Sequence, residues 1–176
     1  PGQRRAAPAH AAIPDQPPTI HFAGKLSRTE RDAVKFDFIT TDDYGVVSAR
    51  AFIRPVKGGA HPRLLTVDLP LSQTNAKQAH EVVYRDLTAD PYAGLDVEVT
   101  LQARDGAGNV AQSRPVRFTL PARIFTNPMA RALIEQRQNL SLDVQGRNTA
   151  MHALDALTLA PDKFFDEKSM PFYVGM

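Results

Sequence analysis

The residues best suited to chemistry lie in two acidic turns. In TTDDYGVVSARAFIR, Asp42 and Asp43 stand side by side before Tyr44 and Gly45, and in ARDGAGNVAQS, Asp105 precedes Asn109. Carboxylates and amide carbonyls are hard oxygen ligands, and Ca²⁺ gathers roughly six to eight of them. Asp42, Asp43, Asp105 and Asn109, with nearby carbonyls, could supply that number if the fold brings both turns together. The same residues suit turns for a local reason. Asp and Asn side chains bond their own backbone, and Gly45, Gly106 and Gly108 supply positive φ. Turn chemistry is the first expectation and a Ca²⁺ site the second; no other cofactor is expected. General acid and base work by a carboxylate pair needs a cleft and two distinct environments. Adjacent Asp42 and Asp43 should point different ways, so no catalytic role is assigned to them.

Other catalytic and metal chemistries find little support. The chain has no cysteine, which removes disulfides, zinc-thiolate sites and thiol catalysis. His10, His21, His61, His80 and His152 show no paired-ligand spacing, and His152 with Asp155 reads as a helix-surface contact. No GxSxG, Walker or Gly-rich phosphate loop leads from a strand into a helix, since RDGAGN joins two strands. A net charge of +2 without a clustered basic face argues against a nucleic-acid partner. Arg4 and Arg5 form one small basic cluster, within a Pro/Ala-rich lead.

The elements that must position the acidic turns follow from period-two alternation. In TIHFA, Ile20 and Phe22 share a side, and in AVKFDFIT so do Val34, Phe36 and Phe38. After DDYG, VSARAFIRP sets Val47, Ala49, Ala51 and Ile53 against Ser48, Arg50, Phe52 and Arg54. LLTVDLPL gives a fourth strand, with Pro70 suiting an edge, and HEVVYRDL a fifth with His80, Val82 and Tyr84 on one side. DVEVTLQARD directs Val97, Val99, Leu101 and Ala103 inward, and RPVRFTLP adds Val116, Phe118 and Leu120. Seven short strands without a crossover helix predict a seven-stranded antiparallel β-sandwich of immunoglobulin or fibronectin III type over residues 17–121. In that fold both acidic turns and the start of the first strand share one end, with Tyr44 packing across it.

Residues 1–16 read as a flexible Pro/Ala-rich linker and residues 122–176 as an α-helical extension. Asn127 before Pro128 predicts a capped helix carrying Met129, Leu133, Ile134 and Leu140. A second helix, capped by Asp143 and bearing Val144, Met151, Leu154 and Leu157, would end at Pro161 and complete a helical hairpin. The start at Pro1 and the apolar tail at Phe172, Tyr173 and Val174 suggest a fragment of something longer.

PPTIHFAG, DDYGV, LTADPYAGLDVEVTLQARDGAGN, ARIFTNPMARALIEQRQNL and ALDALTLAPDKF resemble a family of large alphaproteobacterial proteins of unknown function. The resemblance spans Pro17 to Phe165 and is most specific at FTNPMARALIEQR. It implies a periplasmic domain anchored to the inner membrane through an N-terminal hydrophobic hairpin elsewhere in the protein, and it supplies no activity. DDYGV and ARDGAGN also resemble the turns of bacterial Ig-like and cadherin-like repeats.

The expected function is therefore a non-catalytic scaffold or interaction module, not an enzyme, whose partner is a protein or the remainder of the same chain. Phe52, flanked by Arg50 and Arg54 in the outward register, is the expected interface anchor. The bland alternative places Phe52 beneath the loop that follows or beneath the helices. A glycan-binding accessory domain is the second functional expectation; it needs aromatics in a row, for which Phe52, Tyr84 and Tyr92 are the candidates. Oligomeric state is open.

Overall fold

A computed structural model describes residues 14–57 and 63–142, with 151, 152, 155, 156 and 159. Its elements are β1 (Thr19–Phe22), β2 (Ser27–Arg28), β3 (Ala33–Pro55), β4 (Leu65–Leu69), β5 (Ala76–Asp86), β6 (Asp96–Asp105), β7 (Val110–Gln112), β8 (Val116–Thr119) and helix α1 (Pro128–Leu142). The organising element is β3, a single strand of 23 residues. Its first half pairs antiparallel with β1 and β2 along one edge and with β5 along the other. Its second half lies between β4 and β6, and β6 carries β7 and β8.

This topology corrects the sandwich expectation. DDYG does not end one strand and begin another: β3 runs on through it and pairs with β5 on both sides of it, at Thr41 and again at Val46, so all eight strands form one hydrogen-bonded sheet. The sheet is curled and open, with a four-strand path β1-β3-β6-β7 and the other strands branching from it, rather than a closed seven-stranded sandwich. The physical reason is a pair of bulges. On the β5 side the register jumps from Thr41↔Gln78 to Val46↔Ala76, and on the β6 side an extra β3 residue falls between Val46 and Ser48. Extra residues bend a strand and increase its twist without breaking it. Gly45, at φ 109°, makes the bend possible. A Cβ there would also lie 2.2 Å from the carbonyl oxygen of Asn75.

The second bulge also shifts one core position. Val46 is buried where alternation predicts Val47. Elsewhere the inward face follows the pattern, with Val34, Phe36, Phe38, Ala49, Ala51, Ile53, Val97, Val99, Leu101 and Ala103 all in the core. The His80, Val82 and Tyr84 side of β5 faces out, and Glu81 and Val83 face in. Glu81 tolerates burial because its Oε1 accepts hydrogen bonds from the Ser72 backbone N–H at 2.9 Å and hydroxyl at 2.6 Å.

The expected helical hairpin is replaced by one bounded helix among the described residues. Asn127 Oδ1 accepts the Ala130 N–H at 3.2 Å and Pro128 occupies the first turn, so α1 begins as its sequence predicts. The helix is tied to the corner between β5 and β6, where Gln138 Nε2 donates to the Ala93 carbonyl at 2.8 Å. Helical backbone recurs at Met151, His152, Asp155, Ala156 and Leu159. Asp143, Val144, Leu154 and Leu157, on which a hairpin would rest, lie outside the described residues, as do residues 1–13 and the tail at Phe172, Tyr173 and Val174.

Candidate functional site

Strand alternation places the acids at one end of the sheet. Thr40 and Asp42 continue the inward face of β3 beyond Phe38, and Asp105 continues that of β6 beyond Ala103. The register pairs Val46 with Asp105, so the β3 bend meets the turn leading into β7. Asp105 Oδ1 accepts the N–H groups of Gly108 at 2.7 Å and Asn109 at 2.8 Å, while Oδ2 accepts the Asn109 side-chain amide at 2.8 Å. That amide also donates to Asp15 Oδ2 at 3.0 Å. The two turns therefore converge, and Asp15 joins them from the segment before β1. Sequence reasoning missed Asp15 because it sits in the Pro/Ala-rich lead; its one signal is that it is the only acid in residues 1–16.

The acids differ in environment. Asp42 Oδ2 accepts the N–H groups of Tyr44 at 3.1 Å and Gly45 at 2.5 Å, closing the bend locally. Its Oδ1 is buried without a hydrogen-bond partner, as is Asp43 Oδ1. Lost hydration against the protein surface, then the charges of Asp105, Asp43 and Asp42, raise the pKa of Asp15 even though it lies at the surface. For Asp105, burial pushes upward, but the hydrogen bonds from Asn109, Gly108 and Ala107 prevail and hold it low. Among the described residues no group of three or more His, Asp or Glu side chains is placed to hold a metal ion. Tyr44, expected to pack across this end, is 59% exposed instead.

The second site lies on the outer face. Phe52 is half-buried between Thr66 of β4 and Thr100 of β6, in an open groove lined also by Leu64, Gln112, Ser113 and Pro115. Neither the helix nor a residue of the β5–β6 corner lines that groove. Both flanking arginines are engaged by cross-strand partners: Arg50 Nε donates to Asp68 at 2.8 Å, and Arg54 Nη2 to Glu98 at 2.9 Å. Phe52, Tyr84 and Tyr92 do not form a row. Tyr84 lines a separate groove with Thr29, Arg31 and Ala33, and Tyr92 is buried in the core with its hydroxyl donating to the Arg63 carbonyl.

Two further features come only from the fold. His80 Nε2 lies 2.7 Å from Asp37 Oδ1 across the β3–β5 ladder, a pair separated by 43 residues in sequence. A cavity of about 640 Å³ lies between the sheet corner and α1, lined by Arg63, Leu65, Asp90, Tyr92, Leu133 and Arg137. Burial raises the pKa of Asp90 there. Among the described residues no helix is long and apolar enough to cross a membrane.

Comparison with known proteins gives a family and no activity. No curated protein and no solved structure matches the chain. Residues 2–175 match the family described as a domain of unknown function, DUF4175, and the chain belongs to that family.

Proposed function

We propose that this domain is a non-catalytic contact module of a cell-envelope protein, held at the membrane by segments elsewhere in that protein. Its outer face around Phe52 meets a protein partner or another part of the same chain. The observation that carries this reading is the Phe52 groove: an aromatic ring with Leu64 and Pro115 beside it, open among the described residues and bordered by Arg54, which is paired with Glu98. Aromatic and arginine side chains dominate contact energetics, and side chains fixed before contact lose less entropy on binding. The membrane location rests on the family resemblance and supports a periplasmic position for the domain. A glycan-binding role lacks its row of aromatics, because Tyr92 is a core residue.

The test places a photo-crosslinking side chain at position 52 of the whole protein in its cells, with Glu30 as the control position. A discrete adduct from position 52, lost in Leu64→Asp at an unchanged melting temperature, is the expected result. Equal labelling from both positions, or none from position 52, would remove the contact face.

A further inference from the structure

We infer that the cavity between α1 and the β5–β6 corner is a binding site for a small apolar molecule carrying one carboxylate. Its volume, about 640 Å³, falls within the roughly 300–1,000 Å³ of sites that enclose small ligands. Leu65 from the start of β4, Pro91 and Tyr92 from the corner, and Leu133 and Leu140 from α1 give it apolar walls. Such walls favour a ligand that leaves apolar surface behind in water when free and buries it when bound.

The three wall segments are tied to one another by contacts of their own. Gln138 Nε2 donates to the Ala93 carbonyl at 2.8 Å, which holds the helix against the corner. The Tyr92 hydroxyl donates to the Arg63 carbonyl, which holds the approach to β4 against the same corner. A pocket whose walls are fixed before the ligand arrives loses less entropy on binding.

Charge selects the polar end of the ligand. Among the described residues the charged groups that line the cavity are Arg63, Arg137 and Asp90, two guanidinium groups and one carboxylate. No ion pair joins Asp90 to either arginine, and the Arg63 side chain has no hydrogen-bond or ion-pair partner among the described residues. Arg137 reaches a neighbour only at long range, its Nη1 lying 3.4 Å from the Ala89 carbonyl oxygen. Ser141, also on the wall, has its hydroxyl committed to the Arg137 carbonyl at 2.8 Å and so adds no spare donor. The cavity thus carries an excess of one positive charge on side chains whose planar forks match a carboxylate or phosphate. A singly charged carboxylate balances that excess. A doubly charged phosphate would leave one negative charge unbalanced beside Asp90.

Calorimetric titration of the purified chain with decanoate, decanol and decyltrimethylammonium, each kept below its micelle concentration, tests this. Decanoate should bind saturably at one site, and decanol at least about tenfold more weakly, the loss expected when hydrogen bonds to a charged group are removed. The ammonium, which meets two arginines, should bind more weakly still. Arg63→Gln removes a side chain without a partner among the described residues, so the melting temperature should hold while decanoate weakens about tenfold and decanol is unchanged. Arg28→Gln, on β2, should leave decanoate binding as it was. Flat heats with decanoate, equal affinity for decanoate and the ammonium, decanoate binding unaltered by Arg63→Gln, or an equal loss from Arg28→Gln would each overturn the site.

Discussion

Asp37 lies between His80 Nε2 at 2.7 Å and Lys35 Nζ at 3.2 Å, on the outward face of β3. The His80 hydrogen bond, helped by Lys35, outweighs partial burial and holds the Asp37 carboxyl below its ordinary value of 3.8. A carboxylate with a lower pKa when folded adds stability above the unfolded value and loses it as pH falls through the folded one. Asp37→Asn should therefore cost about 1 kcal/mol or less at pH 7, the range for partly exposed ion pairs. That gap should close on acidification below 3.8, as followed by urea midpoints. Asp15 works in the opposite sense: its raised pKa adds stability below the unfolded value, which is lost as pH rises through the folded one. At this scale the sequence shows which residues can act but not which ones meet. Asp42, Asp105 and Asn109 were visible as candidates because turn and ligand chemistry use the same side chains. The His80–Asp37 pair and the arrival of Asp15 depend on register and chain path, which no local pattern encodes.

The bend of β3 is the element on which both sites depend, since it sets the acids at one end and directs Phe52 onto the outer face. Gly45 should be its least replaceable residue. Gly45→Ala would force a side chain into a left-handed backbone at φ 109° and drive its Cβ against the Asn75 carbonyl. The expected loss is roughly 2–3 kcal/mol in urea unfolding. A loss under half a kcal/mol, the scale of ordinary surface changes, would show that the bend does not need this geometry. The reading of DDYG as a strand-ending turn fails here for a physical reason. Asp, Gly and a following β-branched run suit a bulge as well as a turn, and the choice is made by whether the neighbouring strands keep pairing through it. The inward faces of β3 and β6 were readable because their alternation is regular and one-sided. On β5 alternation alone left open which side faces in. Glu81 goes inward because Ser72 satisfies it, and Val82 and Tyr84 are left outside.

At the scale of the molecule, sharing β3 makes the sheet one structure rather than two layers, because each half of that strand orders its own neighbours through the same backbone. Phe36 and Phe38 from the first half and Ile53 from the second belong to the same core as Leu101 of β6. The acidic end and the Phe52 groove are thereby fixed relative to each other. Strand number and spacing suggested a closed sandwich, since seven apolar runs fit that architecture equally well; the continuity of hydrogen bonding that opens it is a long-range property. The central claim concerns the outer face, and hydroxyl-radical footprinting tests it most directly by reading side-chain access in the purified chain and in the protein within its membranes. Phe52 and Leu64 should be labelled in the purified chain and protected in the membranes, with Tyr44 and Tyr84 labelled alike in both. Equal labelling of Phe52 in the two settings would contradict a contact face there.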